Sequence, residues 1–589
     1  MNKGSLLLLL FFSFLGLKAQ EKKKEMETDT VKTEVVNVIT AYNPKIADAN
    51  KIQRTPEIKL SEKSKKKQLK YTISSIPVAS TFIPKTGVVK GIDVGVKERV
   101  YDNYIAGGFG NYNTPFVEAA LHYNTRFKNE MGFYAKYISS NENVKNTALA
   151  STFSNFKTAL FFKQQERYFD WKVSLNSAQN KYNWYGIPEN LKASTAIETI
   201  NSEQENNYFQ LIGAFDFENS ILENSTASIS SFSDAHQSKE IVMNLETIFN
   251  FSLDFINYGL NPLSIDTSIE VLKGFFKSNS TDNSEIDYSI ITTKILPTYN
   301  FMLYDFSIKT GLKLFASVDT ENSATNILVY PDVQISKAII KDAFILYTGI
   351  SGDLKTNTYK SITEENPYVS PTLFITQTSE KMNVFLGTSG KINNNFSFNF
   401  KASYKDEEDK AFFIRNNSKS NGINLITNNI PLENYEFGNS FRVSYDDVTT
   451  TSFLGEFEYD VSNKIATGAT IQYDDYQVKN LEEAWNLPAL QIAVFGKYKS
   501  EKWYATTNIF YVSERKTVAY NAPFPSSAIS TDRLDFFLDI NLNGGYHFND
   551  AFSVFLKLNN VLNTNYQRFA NFDVQGFQVL GGITYKFDF

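Results

Sequence analysis

The residue types that carry most enzyme chemistry are scarce or scattered in this chain. It has no cysteine, which removes disulfides, thiol catalysis and thiolate metal sites together. Its three histidines, His122, His236 and His547, lie far apart in the sequence, so a histidine-rich metal cluster is not expected. Neither a Gly-x-Ser-x-Gly elbow nor a His-Glu-x-x-His pair occurs, and the abundant Ser and Asp are ordinary turn residues. We therefore predict that the protein is not an enzyme and that it uses no metal and no cofactor.

Acidic side chains form the other group with chemical potential. They alternate with apolar residues on two neighbouring segments: Glu456, Glu458, Asp460, Asp474 and Asp475. Carboxylates in such positions either line a lumen and favour cations, or are solvated groups of the lumen or rim. Both interpretations require strands that expose one polar face.

The C-terminal segment is the clearest strand of that kind. One face carries Phe577, Val579, Gly581, Ile583, Tyr585, Phe587 and Phe589. The other face carries polar residues and glycine, with Leu580 as the lone exception. A period of two places successive side chains on opposite faces of a sheet, and an aromatic end is typical of the closing strand of a transmembrane barrel.

The same alternation recurs from about Asn103 onward, for example in Phe396–Tyr404 and in Phe453–Asp460, where Val461–Lys464 turns the chain. A soluble β-sandwich also alternates, but its strands average about five or six residues, whereas many segments here alternate for roughly ten to fourteen. We predict an all-β fold, a transmembrane antiparallel β-barrel of about 20–22 strands. Short turns belong to the periplasmic rim and long polar inserts to the outer rim. The predicted outer loops are Asn141–Ala150, Gly186–Glu205, Leu354–Pro371, Asn416–Asn434 and Arg515–Asp532.

The N-terminus indicates export. A positive start at Lys3, an apolar run from Leu6 to Leu17 and a cleavage site at Ala19-Gln20 predict a signal peptide over residues 1–19. Residues 20–100 are polar and are expected to form a periplasmic N-terminal segment, and residues 101–589 the barrel. This organisation predicts a Gram-negative outer-membrane location with a periplasmic N-terminus. The signal end and the high usage of Asn, Phe, Tyr and Lys are typical of Bacteroidota. Nucleic acid is not an expected partner of an exported chain with a net charge of −6.

Several C-terminal segments resemble the final hairpins of TonB-dependent receptors. They are Glu483–Ala489, Phe555–Asn563, Tyr566–Arg568 and Val574–Phe577. The resemblance covers roughly the last 100 residues. Its more specific part is the pair Asn559 and Asn560, followed by Leu562, Asn563 and Tyr566. The aromatic end of the closing strand predicts a C-terminal insertion signal at Tyr585, Phe587 and Phe589, read by the barrel assembly machinery, and the barrel predicts contact with outer-membrane lipid.

The head of the chain contains a segment that resembles a TonB box, the extended stretch that pairs with TonB by strand addition. Its residues are Glu34, Val35, Val36, Asn37, Val38 and Ile39. The family carries a folded plug of roughly 130–150 residues, but only about 60 residues separate Thr40 from the first barrel strand. A reduced plug that fills the lumen partly, a partner that fills it, and an open channel all remain as interpretations.

Two functions follow from these observations. In the first, the barrel is a TonB-dependent-receptor-like transporter or porin-like channel for small polar solutes, with TonB or a substrate-capturing outer-membrane protein as partners. In the second, it is a scaffold or accessory subunit of a larger outer-membrane complex. Passage of solutes separates the two, since only the first requires it.

Overall fold

The computed structural model describes residues 101–589, apart from residues 126–127, 195–196, 199, 255–259, 280–283, 342, 394, 424–425, 428–429, 523 and 525–528. The described residues belong to one unit, Asp93–Phe589. The predicted signal peptide, the polar head and the TonB-box residues Glu34–Ile39 lie outside the described residues. Among the described residues, no helix has the length and apolarity needed to cross a bilayer.

The described residues are almost entirely β-structure. The strands are β1 (Asn103–Gly110), β2 (Thr114–Thr125), β3 (Asn129–Ser140), β4 (Phe153–Gln165), β5 (Phe169–Asn183), β6 (Glu203–Phe217), β7 (Leu222–Asp234), β8 (Lys239–Phe251), β9 (Leu263–Phe276), β10 (Ile286–Leu303), β11 (Phe306–Asp319), β12 (Ala324–Ile340), β13 (Phe344–Thr356), β14 (Gln377–Ile392), β15 (Phe396–Arg415), β16 (Ile426–Thr427), β17 (Ile430–Pro431), β18 (Phe441–Ser462), β19 (Ile465–Val478), β20 (Leu490–Lys499), β21 (Trp503–Val512), β22 (Arg515–Tyr520), β23 (Ile529–Leu534), β24 (Phe537–His547), β25 (Phe552–Asn559), β26 (Gln567–Phe569), β27 (Phe572–Asp573) and β28 (Gln578–Phe587). A helix, α1 (Tyr359–Glu365), and a 3-10 turn, Glu189–Leu191, lie in connections.

Twenty-two of these strands form one closed antiparallel sheet. Each pairs with the next along the chain, and β28 closes the ring by pairing with β1 from Asn103↔Phe587 to Gly110↔Leu580. Three small hairpins, β16–β17, β22–β23 and β26–β27, stand on connections outside the ring. The predicted barrel of about 20–22 strands is confirmed, with 22 in the described part of the chain.

The wall turns apolar side chains outward. Leu160, Leu245, Leu386, Phe453 and Ile583, spread around the ring, are each 45–55% exposed. In a closed barrel every backbone group of the wall is paired within the sheet, so such a surface is stable against lipid and unfavourable against water. Leu580, the exception in the C-terminal pattern, lies on the lumen side, where it packs with Ala106, Phe116 and Phe555.

The two ends of the barrel differ in their connections. At one end, called here the short-turn end, all connections have two to four residues except 252–262, and both β1 and β28 have their free ends there. At the other, the long-loop end, connections reach 25 residues, in 416–440. All five predicted outer loops lie at the long-loop end, although Arg515–Asp532 is largely the β22–β23 hairpin and Glu203–Glu205 already belong to β6.

Candidate functional site: the cap at the long-loop end

Four long connections converge at the long-loop end. They are 184–202, 357–376, 416–440 and 560–577, and we call them together the cap. The indole nitrogen of Trp184 donates to the carbonyl of Pro367 at 3.4 Å, and Asn439 donates to the carbonyl of Trp184 at 3.0 Å. The hydroxyl of Tyr185 donates to the carbonyl of Asp573 at 2.7 Å. Because these loops start from distant strands of the ring, their contacts cross the mouth of the barrel.

Aromatic side chains form the centre of the cap. Tyr368 stacks on Phe572 with ring centroids 3.5 Å apart, and Tyr185 meets the same ring edge-on at 5.0 Å. Phe569 packs edge-on against Tyr368 and Phe441. These residues belong to the largest buried apolar cluster of the described chain, which also takes in strand ends from β7, β9, β10, β15 and β18. The cap thus has its own hydrophobic core, and burial raises the pKa of Tyr185 and Tyr368, which keeps their hydroxyls protonated.

Helix α1 attaches the cap to strands β7 and β8 of the wall. Thr358 caps its N-terminus through a reciprocal pair of hydrogen bonds with Ser361. The buried carboxylate of Glu240 on β8 accepts from the amides of Tyr359 (2.5 Å) and Lys360 (3.2 Å) and from the hydroxyl of Tyr288 (3.0 Å). A carboxylate is the natural partner for unpaired amides at the start of a helix. The hydroxyl of Tyr359 in turn donates to Asp234 at 2.8 Å.

His236 lies beside this contact between α1 and the wall. It lies in the connection between β7 and β8, stacks on Trp184 at 5.4 Å with planes 17° apart, and has an Nε2 contact to Gln204 at 3.0 Å. Burial lowers the pKa of His236, and the carboxylates of Asp234 and Glu433 oppose that shift. The neutral ring therefore fits the closed arrangement.

The segments that resemble TonB-dependent receptors pack against or form the cap. Asn560, at φ 47°, donates to the carbonyls of Thr564 (2.8 Å) and Gln575 (3.0 Å) and accepts from the amide of Thr564. Asn563, at φ 52°, accepts from the amide of Phe577. Asn is one of the few residues that adopts this left-handed conformation readily. These side chains hold the base of connection 560–577, which presents Phe569 and Phe572 to the cap.

The neighbouring connections 479–489 and 513–536 support that loop. The guanidinium of Arg515 donates to the carbonyls of Gln567 and Arg568, both at 2.5 Å. Burial, followed by the charge of Arg568, lowers the pKa of Arg515 to about 10, so the group is charged at neutral pH. Trp485 is fully buried against Ile414 and Val518.

Cross-strand pairing decides the placement of the acidic residues. Phe453, Tyr459 and Tyr473 are exposed on the outer wall. Successive side chains of a strand point to opposite faces, and residues paired across strands share a face. The lumen side therefore carries Glu456, Glu458, Asp460 and Asp474. Asp475 pairs with Thr451 and lies on the opposite face, so it does not line the lumen. The described residues contain no group of three or more His, Asp or Glu that could hold a metal ion.

The predicted insertion signal lies on the closing strand. Tyr585 stacks on Phe587 at 5.8 Å, and Phe587 meets Phe589 edge-on at 5.5 Å, just beyond the end of β28. Tyr585 and Phe589 are exposed on the outer wall and at the rim. Their role in insertion stays a prediction. The cap itself was not predicted from the sequence, although the aromatic residues inside presumed outer loops were a signal for it.

No protein-family model matches the sequence, and no curated protein is similar enough to be matched by sequence. Solved structures are similar in fold. The siderophore receptor PirA of Acinetobacter baumannii is 12% identical, with a TM-score of 0.59, over 82% of this chain and 80% of that one. The FrpB iron transporter of Neisseria meningitidis (F5-1 variant) is 10% identical, with a TM-score of 0.60, over 84% and 83%. The ferripyoverdine receptor of the outer membrane of Pseudomonas aeruginosa is 10% identical, with a TM-score of 0.58, over 83% and 72%.

The chain has the fold of outer-membrane receptors. At these identities the likeness shows the fold, and the barrel implied by the resemblance to TonB-dependent receptors is confirmed. The apolar outer wall and this fold together support an outer-membrane location. The similar structures are receptors and a transporter.

Proposed function

We propose that the protein is an outer-membrane receptor-transporter that takes up small polar solutes through a barrel gated by its own cap. The observation that carries the proposal is the set of contacts that joins four distant loops across the mouth. A passive porin needs a permanently open mouth, whereas a gated transporter needs a mouth that closes and opens. A cap with its own aromatic core, attached to the wall by a few polar groups, suits the second requirement.

The first substrate class to test is an iron–siderophore complex, because PirA and the ferripyoverdine receptor share the barrel fold. Energy coupling would use TonB and residues Glu34–Ile39. Both free ends of the described barrel lie at the short-turn end, which supports a periplasmic N-terminus from which such a segment reaches the energising protein.

Single-channel conductance in planar bilayers tests the gate. The full-length protein is compared with the double variant Tyr368→Ala and Phe572→Ala, each with and without residues 21–100. We expect no steady current from the full-length protein and open events once the cap core is removed, in the presence or absence of the head. Steady current from the unaltered protein would contradict a gating role for the cap.

Substrate binding is measured separately, as quenching of intrinsic fluorescence on titration with iron–siderophore complexes of different chemistry. Saturable binding that the double variant weakens supports the receptor function. If no form of the protein passes current or binds a solute, the scaffold function is favoured, since the same sealed mouth suits a barrel that only holds a larger complex together.

A further inference from the structure

Four lysines lie on the lumen side of one stretch of wall. They are Lys557 on β25, Lys136 on β3, Lys157 on β4 and Lys172 on β5. Each has a sequence neighbour that is exposed on the outer wall, namely Leu556, Tyr137, Phe156 and Val173. Because successive side chains of a strand point to opposite faces, the four ammonium groups point into the barrel.

The four lysines follow the barrel axis. Lys557 lies two residues from the long-loop end of β25, and Lys136 and Lys157 face each other directly in the middle of the wall. Lys172 pairs with Lys163, six residues further along β4 toward the short-turn end. The set therefore runs from below the cap toward the opposite rim, and we call it the lysine track.

The four lysines of the track are less closely paired with carboxylates than other lysines of the lumen. Three other lysines of the lumen form ion pairs. Lys309 lies 3.0 Å from Asp332, Lys313 lies 3.0 Å from Asp353, and Lys405 lies 3.5 Å from Glu380. The four track lysines have no ion pair in the described part of the chain. Glu118, which faces Lys136 in register, accepts instead from the hydroxyls of Tyr104 (2.9 Å) and Tyr134 (3.2 Å).

Aromatic rings position three of the ammonium groups. Lys136 and Lys557 lie over the ring of Phe116, at 5.9 Å and 4.6 Å from its centre, and Lys172 lies over Phe161 at 4.8 Å. A ring holds a cation in place without cancelling its charge. Like charges that face each other across strands, as Lys136 and Lys157 do, destabilise a sheet. A row of cations that form no ion pair and are oriented by aromatic rings is what an anionic ligand would require.

We propose that the lysine track binds solutes bearing carboxylate or phosphate groups and passes them along the lumen wall. The proposal rests on the proposed transport function, and it deepens it by naming the charge of the cargo. The acidic residues Glu456, Glu458 and Asp474 lie on other strands of the ring.

Equilibrium binding to the purified full-length protein in detergent tests the track with tripolyphosphate as the probe, measured by calorimetry at low salt. The variant carries Lys136→Gln, Lys157→Gln, Lys172→Gln and Lys557→Gln. We expect binding at least about tenfold weaker than in the unaltered protein, because several cooperating ion pairs are lost. A variant with Lys→Arg at the same four positions keeps the charges, so it should bind the probe as the unaltered protein does.

The control changes the net charge equally at the rims, with Lys145→Gln, Lys341→Gln, Lys391→Gln and Lys464→Gln. It should bind the probe as the unaltered protein does. Equal loss in both variants, unchanged binding in the track variant, or no binding by the unaltered protein would each overturn the track. Because binding in detergent needs no transport, a barrel that binds the probe yet never conducts would contradict the proposed function alone.

Discussion

At the scale of single residues, Gly186 shows how tightly the cap is packed. A Cβ atom added there would lie 2.4 Å from the Phe572 ring, a separation that real Cβ atoms do not show. We expect Gly186→Val to release connection 560–577 while the barrel stays folded. Limited proteolysis of that loop should rise several-fold over the unaltered protein, with the thermal unfolding of the wall nearly unchanged.

The matched change is Gly213→Ala on β6, where the nearest atom to an added Cβ is 4.0 Å away in the Phe215 ring. It should leave the proteolysis pattern as it is. A cap equally resistant in both variants would show that Phe572 does not need the space at Gly186.

His236 gives the cap a pH dependence. Burial lowers its pKa below the ordinary value of about 6.5. The open cap binds the proton more readily than the closed one, so closure is fully stable above pH ~6.5 and weakens as the pH falls below that value. Emission of Trp184, which stacks on the ring, should change over this window, and His236→Gln should remove that part of the change. A pH-independent signal in the unaltered protein would contradict this titration.

At the scale of elements, two carboxylates hold α1, and Glu240 is the one that accepts from the backbone amides at its start. In Glu240→Gln an amide group would face the amides of Tyr359 and Lys360, so at least one buried donor loses its partner, at a cost of about 1–3 kcal/mol. We expect hydrogen exchange in 357–376 to become faster by roughly one to two orders of magnitude. Exchange in β8 itself should change little, and an equal increase along the whole barrel would mean that Glu240 stabilises the wall instead of the cap.

Individual strands and loops also show which features of the fold could be predicted from the sequence. The alternation of Phe396–Tyr404 predicted β15 and its faces, because the period of a strand is a local property. The direction of Asp475 and the contact between Tyr185 and Asp573 depend on partners far away in the chain, so no local pattern revealed them. Asn560 and Asn563 were noticed by resemblance alone, and their left-handed backbone and side-chain hydrogen bonds give the physical reason for the motif.

At the scale of the whole molecule, the aromatic end of the chain is predicted to matter for insertion. Phe589→Asp places a charge at the exposed rim beside Phe587, and we expect the amount of barrel in the outer membrane to fall several-fold. Heat-modifiable mobility in gels measures the inserted fraction. Asp588→Asn is the matched change, because it alters charge at the adjacent position without adding a charge to the aromatic face. Undiminished levels of Phe589→Asp would contradict a role in insertion.

The pairing of β28 with β1 means that the barrel is closed only when both strands are present. One edge of β1 finds its partner in β28, so the seam joins segments nearly 480 residues apart in sequence. A chain that lacks a strand of this ring would leave two edges of the sheet unpaired, which lipid cannot solvate. The same adjacency makes the barrel suited to circular permutation: joining its present ends at the short-turn rim and opening another short turn would preserve every pair in the ring.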